Sequence, residues 1–337
     1  MSEGMLICCG SLTLDNVLTA DGRALPQSWG GNVLYSAAAA RLWHDNVGIV
    51  SRIGHDYPAE VAERFVERGI DVSGLVPVDA PHGMNVAFSY RPDGSRVRKF
   101  PSEAVDLIPE ADRARFIDYT TFGTEHRFAT WMAFAPEGSD IPVSWRDRGL
   151  GLHCAAMPVE RHISIARAMR PARKSGAWIQ VDSPWYDERD LTRDYSADLF
   201  ALIDALLPSE ADLEIVAGSG SLAHQIDGML ASGLKRVVVK RGGEGCTLHT
   251  RGETDSHIPI YPSQVIDLTG AGDAFCGGFL AGMIMTGNPV EASHYGTVSA
   301  SFAIEGVGIS RLLKTTADEA QQRLAQYRDS IKVLPQT

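Results

Sequence analysis

Short apolar runs alternate with longer helical patterns along most of the chain. The apolar runs have the length of buried strands and lie at Met5–Cys9, Val47–Ser51, Gly151–Cys154, Ala177–Asp182, Asp204–Pro208 and Lys235–Lys240. Segments with helical spacing lie between and after them, at Val33–Leu42, Pro58–Arg68, Val159–Lys174, Pro289–Glu305 and Thr316–Asp329. This order predicts an α/β fold with one doubly wound, mostly parallel sheet.

The segment between the second and third of these helices departs from the alternation. Two short β-like runs, Asn85–Tyr90 and Arg96–Phe100, flank a Pro-Asp-Gly turn at Arg91–Ser95 and predict a hairpin. Further along, Ile108–Asp118 has a helical pattern. Thr130–Phe134 has the pattern of a short strand within an aromatic-rich stretch.

Composition narrows the class of protein. The chain has 337 residues, 44% hydrophobic and 22% charged, as in an ordinary globular domain, and the absence of repeats favours a single domain over 1–337. A net charge of -11 argues against a nucleic-acid surface, and no run is long enough for a membrane span. Met1–Met5 lacks a signal-peptide pattern, and five cysteines without Cys-x-x-Cys spacing fit reduced thiols. We therefore expect a cytoplasmic protein without nucleic-acid or membrane partners.

The most informative stretch is 267–279, with the sequence DLTGAGDAFCGGF. Val265–Ile266 before it predicts the end of a strand, and Ala274–Met285 predicts a helix rich in small residues. A glycine turn that leads into a helix directs free amides and the positive end of the helix dipole at one point, which predicts a phosphate site. Asp273 lies in the first turn. Acidic residues are favoured there without any chemistry, but a carboxylate beside an anion site also suits a general base.

This stretch resembles the signature of the ribokinase-like (PfkB-type) carbohydrate and nucleoside kinases. The resemblance implies a ribokinase-like three-layer α/β sandwich that uses ATP and Mg²⁺. It also implies that the amides of Gly270, Ala271 and Gly272 form the hole for the transferred phosphoryl group and that Asp273 is the catalytic base. Asp267 matches the residue that holds K⁺ in several family members; an ordinary strand-end Asp is the alternative.

A second resemblance lies near the N-terminus. Two glycines in Trp29–Asn32 precede an alanine-rich helix, as in the family's first signature. The resemblance places Asp15, Gly31 and Asn32 on the substrate side, where an ordinary turn Asp is the alternative for Asp15. The family's usual Asn, expected roughly at Leu34, is absent, so Asn32 either replaces it or caps the helix.

Two further segments match the family's nucleotide side. Lys240, Gly242 and Gly245 take the places of nucleotide contacts after a strand, and a solvated strand end is the other interpretation of Lys240. Ser209 and Asp212 stand where the family has Asn-x-x-Glu. Their oxygens would contact the nucleotide phosphates and Mg²⁺, respectively, with Asp212 acting through water or a shifted backbone.

The resemblance implies ATP-dependent phosphorylation of a hydroxyl on a small sugar or sugar-like polyol. A small β lid over the sugar is expected from segments near 12–30 and 84–130. The implied partners are the sugar and ATP, and a homodimer is left open. Two alternatives remain, a nucleoside kinase on the same fold and a non-catalytic sugar or nucleotide sensor that has kept the fold.

Overall fold

The computed structural model describes residues 4–91, 96–97, 102–116, 124–184 and 196–332. The strands are β1 (Met5–Cys9), β2 (Thr13–Leu18), β3 (Ala24–Gly30), β4 (Val47–Gly54), β5 (Ile70–Val78), β6 (Asn85–Tyr90), β7 (Arg96–Val97), β8 (Gly149–Cys154), β9 (Trp178–Val181), β10 (Ala205–Leu206), β11 (Arg236–Lys240), β12 (Cys246–Thr250) and β13 (Ser256–Ile258).

The helices are α1 (Asn32–Arg41), α2 (Ala59–Glu67), α3 (Glu110–Arg113), α4 (Thr124–Phe134), α5 (Val143–Arg148), α6 (Val159–Ala168), α7 (Arg170–Lys174), α8 (Ser196–Phe200), α9 (Leu213–Ala217), α10 (Leu222–Ala231), α11 (Ala271–Thr286), α12 (Pro289–Ala303), α13 (Ser310–Lys314) and α14 (Ala317–Lys332). Short 3₁₀ turns lie at Ser102–Leu107, Gly138–Asp140, Glu210–Asp212 and Gly242–Glu244. Within the described ranges, no helix has the length and apolar character needed to cross a bilayer.

The large sheet has the strand order β13-β12-β11-β10-β9-β8-β1-β4-β5. Its strands from β11 across to β5 run parallel to one another, β12 runs antiparallel to them, and β13 runs antiparallel to β12. β1 lies between β4 and β8, so the strand order reverses at β1, and ligands bind at the carboxyl ends of strands near such a reversal. The predicted doubly wound, mostly parallel sheet is therefore confirmed.

Both faces of this sheet are covered by helices, which makes the fold a three-layer α/β sandwich. Leu6 and Ile7 point to opposite faces, as neighbours on a strand do. Leu6 belongs to a core with α1, α2, α11, α12 and α14, and Ile7 belongs to a core with the helices from α5 to α10. Because both faces are buried, the strands have continuous apolar runs instead of an alternating pattern.

A smaller sheet has the strand order β3-β2-β6-β7. The predicted hairpin is present in its strands, since β6 and β7 pair antiparallel with Ser89 opposite Val97. The predicted turn at 92–95 and the segment 98–100 lie outside the described residues. This sheet is formed from the parts of the chain from which we expect a lid, and its role as a lid stays a prediction.

Several local predictions differ from the structure. Thr130–Phe134 is the last part of helix α4, not a strand, and its apolar residues pack from one side of that helix under β6. Val265–Ile266 is irregular chain, not a strand end, and both side chains are almost half exposed. The helical prediction at 108–118 holds only for α3, with residues 117 and 118 outside the described ranges. Proline at the start of α7 separates α6 and α7 within the helix predicted at 159–174.

Candidate active site

Helix α11 begins with the predicted glycine turn. Gly270 is the residue before the helix, and its φ of 77° lies in the left-handed region that favours glycine. A Cβ at Gly270 would lie 2.2 Å from the ring of Tyr35 in α1, so the ring fills the space that a side chain would need. The helix has 16 residues, and the free amides at such a helix start attract anions. The backbone therefore has the geometry that the predicted phosphate site of Gly270, Ala271 and Gly272 requires.

Glycines inside α11 let it approach α1 closely. A Cβ at Gly277 would lie 1.9 Å from the carbonyl oxygen of Ser36, and a Cβ at Gly278 would lie 2.3 Å from Oγ of Ser299 in α12. Both helices therefore contact the backbone of α11 directly. This packing fixes the start of α11 against the carboxyl ends of the strands.

Asp273 lies in the first turn of α11, partly exposed. The pKa of Asp273 is raised to about 7, first by burial and also by the charges of Asp182 and Asp212, while the charge of Lys240 lowers it. A carboxyl group with a pKa near neutral is suited to accept a proton at physiological pH. The residue types around Asp273 thus agree with its predicted role as a base.

Lys240 forms an ion pair that the sequence does not reveal. Its Nζ lies 2.6 Å from Oδ2 of Asp182, and both side chains are almost fully buried. Asp182 follows β9 and Lys240 ends β11, so the pair crosses the carboxyl end of β10. A Cβ at Gly272 would lie 3.5 Å from Nζ, which places the ammonium beside the first turn of α11. Lys240 is therefore not the solvated strand end that the sequence left open.

Ser209 precedes the 3₁₀ turn after β10 and Asp212 ends it, next to this ion pair. Oγ of Ser209 donates to Oδ2 of Asp212 at 2.5 Å, and Oγ of Ser183 lies 3.4 Å from the same oxygen. Asp212 is partly exposed, and the backbone of Ser209 forms a bridge with Lys240. These are oxygen donors of the kind that Mg²⁺ prefers, so the residues fit the predicted Mg²⁺ at Asp212. Among the described ranges no group of three or more His, Cys, Asp and Glu side chains could hold a metal alone.

Asp267 is 1% exposed, and its carboxylate joins three segments of the chain. Oδ1 accepts hydrogen bonds from the hydroxyl of Tyr90 at 2.5 Å and the amide of Thr269 at 2.7 Å. Oδ2 accepts from the amide of Gly308 at 2.8 Å. Tyr90 ends β6 of the small sheet and also lies 2.9 Å from Oγ1 of Thr269. The small sheet is thus bonded to the loop that leads into the anion site.

The residues predicted on the substrate side lie where β2 and β3 meet α1. Asp15 is 8% exposed and accepts from Oγ1 of Thr13 at 2.6 Å. Gly30 lies against this carboxylate, since a Cβ there would lie 2.1 Å from Oδ2 of Asp15. Gly31 has a φ of 110° and lies against the backbone of Ser11, so only glycine fits.

Asn32 uses both ends of its amide to hold the backbone. Oδ1 accepts from the amide of Ser11 at 2.9 Å, and Nδ2 donates to the carbonyl of Ala156 at 2.7 Å. Its side chain therefore connects the carboxyl ends of β1 and β8, and Asn32 is the first residue of α1, not the N-cap. Leu34 is buried in the core, and the neighbouring Tyr35 is the residue of this turn that contacts the anion loop.

Tyr35 links the two halves of the site. Burial first, and then the charges of Asp15, Asp267 and Asp273, raise the pKa of Tyr35 well above its usual range. Residues predicted on the substrate side and on the phosphate side therefore lie around one aromatic ring. The structure brings these parts of the prediction together at one end of the sheet.

The two glycines predicted on the nucleotide side differ in their surroundings. A Cβ at Gly242 would meet no atom within 4 Å, and its φ is 54°. Gly245 has a φ of 86°, and a Cβ there would lie 2.1 Å from the carbonyl oxygen of Ile258. Gly245 is thus required by the turn between β11 and β12, whereas Gly242 faces open space in which a ligand could lie.

Three residues of the site were not among those proposed from the sequence: Asp182, Tyr90 and Tyr35. Asp182 stands at a predicted strand end, which is a weak signal for a ligand-binding position. The partner of Tyr90 lies 177 residues away in sequence, so no local pattern could reveal it. Tyr35 directly follows Leu34, the position at which the family's usual Asn is absent. This departure from the first signature was the signal that the sequence offered for Tyr35.

Sequence comparisons find kinases among the proteins similar to this chain. Residues 151–316 match the model described as pfkB family carbohydrate kinase. A cytidine kinase from Thermococcus kodakarensis is 26% identical over 291 residues, which are 85% of this chain and 90% of that protein. A fructokinase from Klebsiella pneumoniae is 26% identical over 295 residues, which are 85% of this chain and 87% of that protein.

Solved structures are similar over almost the whole chain. Ribokinase from Arabidopsis thaliana, complexed with ribose and ATP, has a TM-score of 0.68 at 19% identity and covers 96% of this chain and 99% of its own. A fructokinase double mutant from Vibrio cholerae O395, in a form with fructose, ADP and potassium ion, has a TM-score of 0.66 at 18% identity and covers 96% and 99%. At these identities the likeness shows the fold, which is that of the ribokinases.

Proposed function

Because residues 151–316 match the pfkB family carbohydrate kinase model, we propose that this protein transfers the γ-phosphoryl group of ATP to a hydroxyl of a small sugar or sugar-like polyol. The observation that carries the proposal is the position of Asp273, a carboxylate with a pKa of about 7 in the first turn of a glycine-led helix. The same turn offers amides for an anion and a base for a hydroxyl proton.

The residues around the turn have different roles in phosphoryl transfer. Asp273 accepts the proton of the attacking hydroxyl. The amides of Gly270, Ala271 and Gly272 stabilise the negative charge that spreads over the phosphoryl oxygens. The protein otherwise positions the two substrates, since phosphoryl transfer requires little further covalent chemistry from it.

The nucleotide lies on the side of Ser209, Lys240 and the glycines Gly242 and Gly245. Mg²⁺, when bound, neutralises charge between the phosphates, and Asp212 with the neighbouring hydroxyls would hold it. Several large apolar side chains are exposed beside the anion loop and next to Gly308, and they suit the face of a base: Val265, Ile266, Leu268 and Val307.

A monovalent cation belongs to the proposal through Asp267. This buried carboxylate lies in the loop before the anion hole, with backbone amides and a hydroxyl as its other partners. A K⁺ ion at this carboxylate would stabilise the loop conformation. The potassium-bound fructokinase supports this part of the proposal by its similarity of fold.

The sugar lies on the side of Asp15 and Gly31. A carboxylate can accept hydrogen bonds from two hydroxyls of a polyol, and Asp15 is placed beside the glycine pair at the start of α1. Asn32 shapes this side by holding the strand ends, and the small sheet acts as a lid that excludes water. We expect the reaction in the cytoplasm, where the five free, buried cysteines stay reduced, and we keep a homodimer as a prediction.

A nucleoside is the second candidate acceptor. The cytidine kinase is as similar in identity and coverage as the fructokinase. A nucleoside presents a ribose hydroxyl to Asp273, and this hydroxyl has the same chemistry as that of a sugar. The two candidate acceptors therefore differ in the base that the nucleoside carries.

The test is a screen of ADP release from ATP over sugars, polyols and nucleosides. We expect acceptor-dependent ADP release with one class of acceptor, and a fall of at least about 10²-fold in Asp273→Asn, as is typical for a lost general base. Nucleotide binding and unfolding temperature should change little in this variant. Release that is independent of every acceptor, or unchanged in Asp273→Asn, would contradict the proposal.

A further inference from the structure

Asp182 has no part in the proposed reaction so far, although the structure places it at the centre of the site. It is 5% exposed, its Oδ1 accepts from the amide of Ser183 at 2.7 Å, and its Oδ2 accepts from Nζ of Lys240 at 2.6 Å. Either charge alone would be strongly unfavourable at this depth, so each is stable only with the other. The pair is therefore a single charged unit.

The ammonium of this unit is aimed at the start of α11. Nζ of Lys240 lies 3.5 Å from Sγ of Cys276, one turn into the helix, and 3.5 Å from the place of a Cβ on Gly272. An ammonium has three protons, and Asp182 and Cys276 provide acceptors for two of them. Among the described residues, Asp182 and Cys276 are the side-chain acceptors of this ammonium, so its third proton can be donated to an anion at the glycine turn.

The charges that face Asp273 come from several elements. Asp182 follows β9, Lys240 ends β11, Asp212 lies in the 3₁₀ turn after β10, and Cys276 lies on α11 itself, while Tyr35 faces it from α1. Among these groups, Lys240 is the cation. Its position therefore decides how well both an ionised base and a phosphate are tolerated at this helix start.

We propose that Asp182 is a positioning residue for phosphoryl transfer, which holds the ammonium of Lys240 beside the first turn of α11, where that ammonium stabilises the ionised base and the incoming phosphate. The inference rests on the proposed kinase function of the same site. The two charges of the ion pair act on Asp273 with opposite signs, as the proposal requires: Asp182 raises the pKa of Asp273, and Lys240 lowers it.

The first experiment measures the proton affinity of Asp273 without any ligand. Protein labelled with ¹³C at the aspartate carboxyl groups is titrated by NMR, and the Asp273 signal is assigned by its loss in Asp273→Asn. We expect Asp182→Asn to lower the pKa of Asp273 and Lys240→Met to raise it, each by about one pH unit, the lower end of the effect of a neighbouring charge.

Asp204→Asn is the matched control. Asp204 is also a buried carboxylate in an ion pair, with Arg173 and Lys235. It precedes β10, so it lies at the amino ends of the parallel strands, opposite to the end that carries Asp182. Its loss should leave the titration of Asp273 unchanged. A merely structural role of Asp182 would give the same result in Asp182→Asn as in this control.

The second experiment measures MgATP affinity by calorimetry and turnover with the acceptor found in the screen. We expect at least a tenfold loss of MgATP affinity in Lys240→Met. Asp182→Asn should lower kcat about tenfold with little change in KM for the acceptor. If a single variant does not fold, the charge-balanced double variant is titrated instead, and its Asp273 should stay within about half a pH unit of the wild type because two opposite shifts cancel.

The outcomes separate the two proposals. Unchanged titration of Asp273 and unchanged MgATP affinity, relative to Asp204→Asn, would overturn the role of the ion pair. Wild-type protein that releases no ADP with any acceptor would overturn the kinase function, whereas opposite shifts of the Asp273 signal would still support the electrostatic part of the inference.

Discussion

Replacing Gly277 with alanine tests whether the contact between α1 and α11 depends on the absence of a side chain. The new Cβ would lie 1.9 Å from the carbonyl oxygen of Ser36 and 2.7 Å from its carbonyl carbon. The two helices would have to separate by about 1.5 Å at this point to reach ordinary contact. Because the atoms met belong to a backbone, no side-chain rotation can relieve the overlap.

Two opposing terms decide the size of the effect. Alanine in a helix interior is favoured over glycine by about 1 kcal/mol, whereas overpacking of a well-packed core costs typically about 1–3 kcal/mol and occasionally more. The overlap here is deep, so we expect the second term to win by about 2 kcal/mol. The loss of activity should be larger than the loss of folded protein, because α1 carries the Tyr35 ring that lies against Gly270.

Denaturant unfolding followed by circular dichroism measures this effect, with equal slopes confirming that the same surface is exposed. Gly228→Ala in α10 is the control, since its Cβ would meet no atom within 4 Å and its backbone is ordinary helix. This control should gain up to about 1 kcal/mol from helix propensity alone. If Gly277→Ala and Gly228→Ala have the same free energy of unfolding, the close contact between α1 and α11 does not depend on the absence of a side chain at Gly277.

Four further predictions follow from the site. Turnover should fall about tenfold per pH unit below pH 7 and be flat above it, since Asp273 with a pKa of about 7 must be ionised; a flat pH–rate profile would contradict this. Gly272→Val should fold but lose MgATP binding, and an unchanged titration would exclude this loop as the phosphate site. Activity should be higher in K⁺ than in tetramethylammonium at equal ionic strength if Asp267 holds a cation, and equal rates would exclude a functional site. Asp15→Ala should raise KM for the acceptor about 10- to 100-fold at unchanged MgATP affinity, and a wild-type KM would place the acceptor elsewhere.

The fold could be predicted because the strands of the large sheet are buried on both faces. Such strands leave continuous apolar runs, and the helices that cover them have their own period, so each element could be recognised from its own residues. The glycine turn before α11 was also local, since the amides, the helix and Asp273 follow each other directly in sequence. Predictions on elements with mixed exposure were less successful: the apolar run that ends at Phe134 belongs to a helix that packs on one side only.

The rest of the site depends on contacts between distant segments. Asp182 and Lys240 are 58 residues apart, and Tyr90 and Asp267 are 177 residues apart. Strand ends mark Asp182 and Lys240 as near the ligand edge of the large sheet, but their pairing depends on the order of the strands. The amide of Asn32 likewise contacts Ala156, which explains why the sequence alone could not decide between substrate binding and a structural role.

The strand order also has a consequence for synthesis of the chain. From β1, the sheet is extended first by β4 and β5 on one side and then by β8, β9, β10, β11, β12 and β13 on the other, so each strand of the large sheet leaves the ribosome when its neighbour is already available. Three of the helices that cover one face are made last, because α11, α12 and α14 all follow residue 270, whereas α1 and α2 of the same face are made early. A nascent chain that has completed its sheet therefore still exposes part of one apolar face. We expect the chain to be most prone to aggregation and most dependent on chaperones during this interval, not during strand pairing.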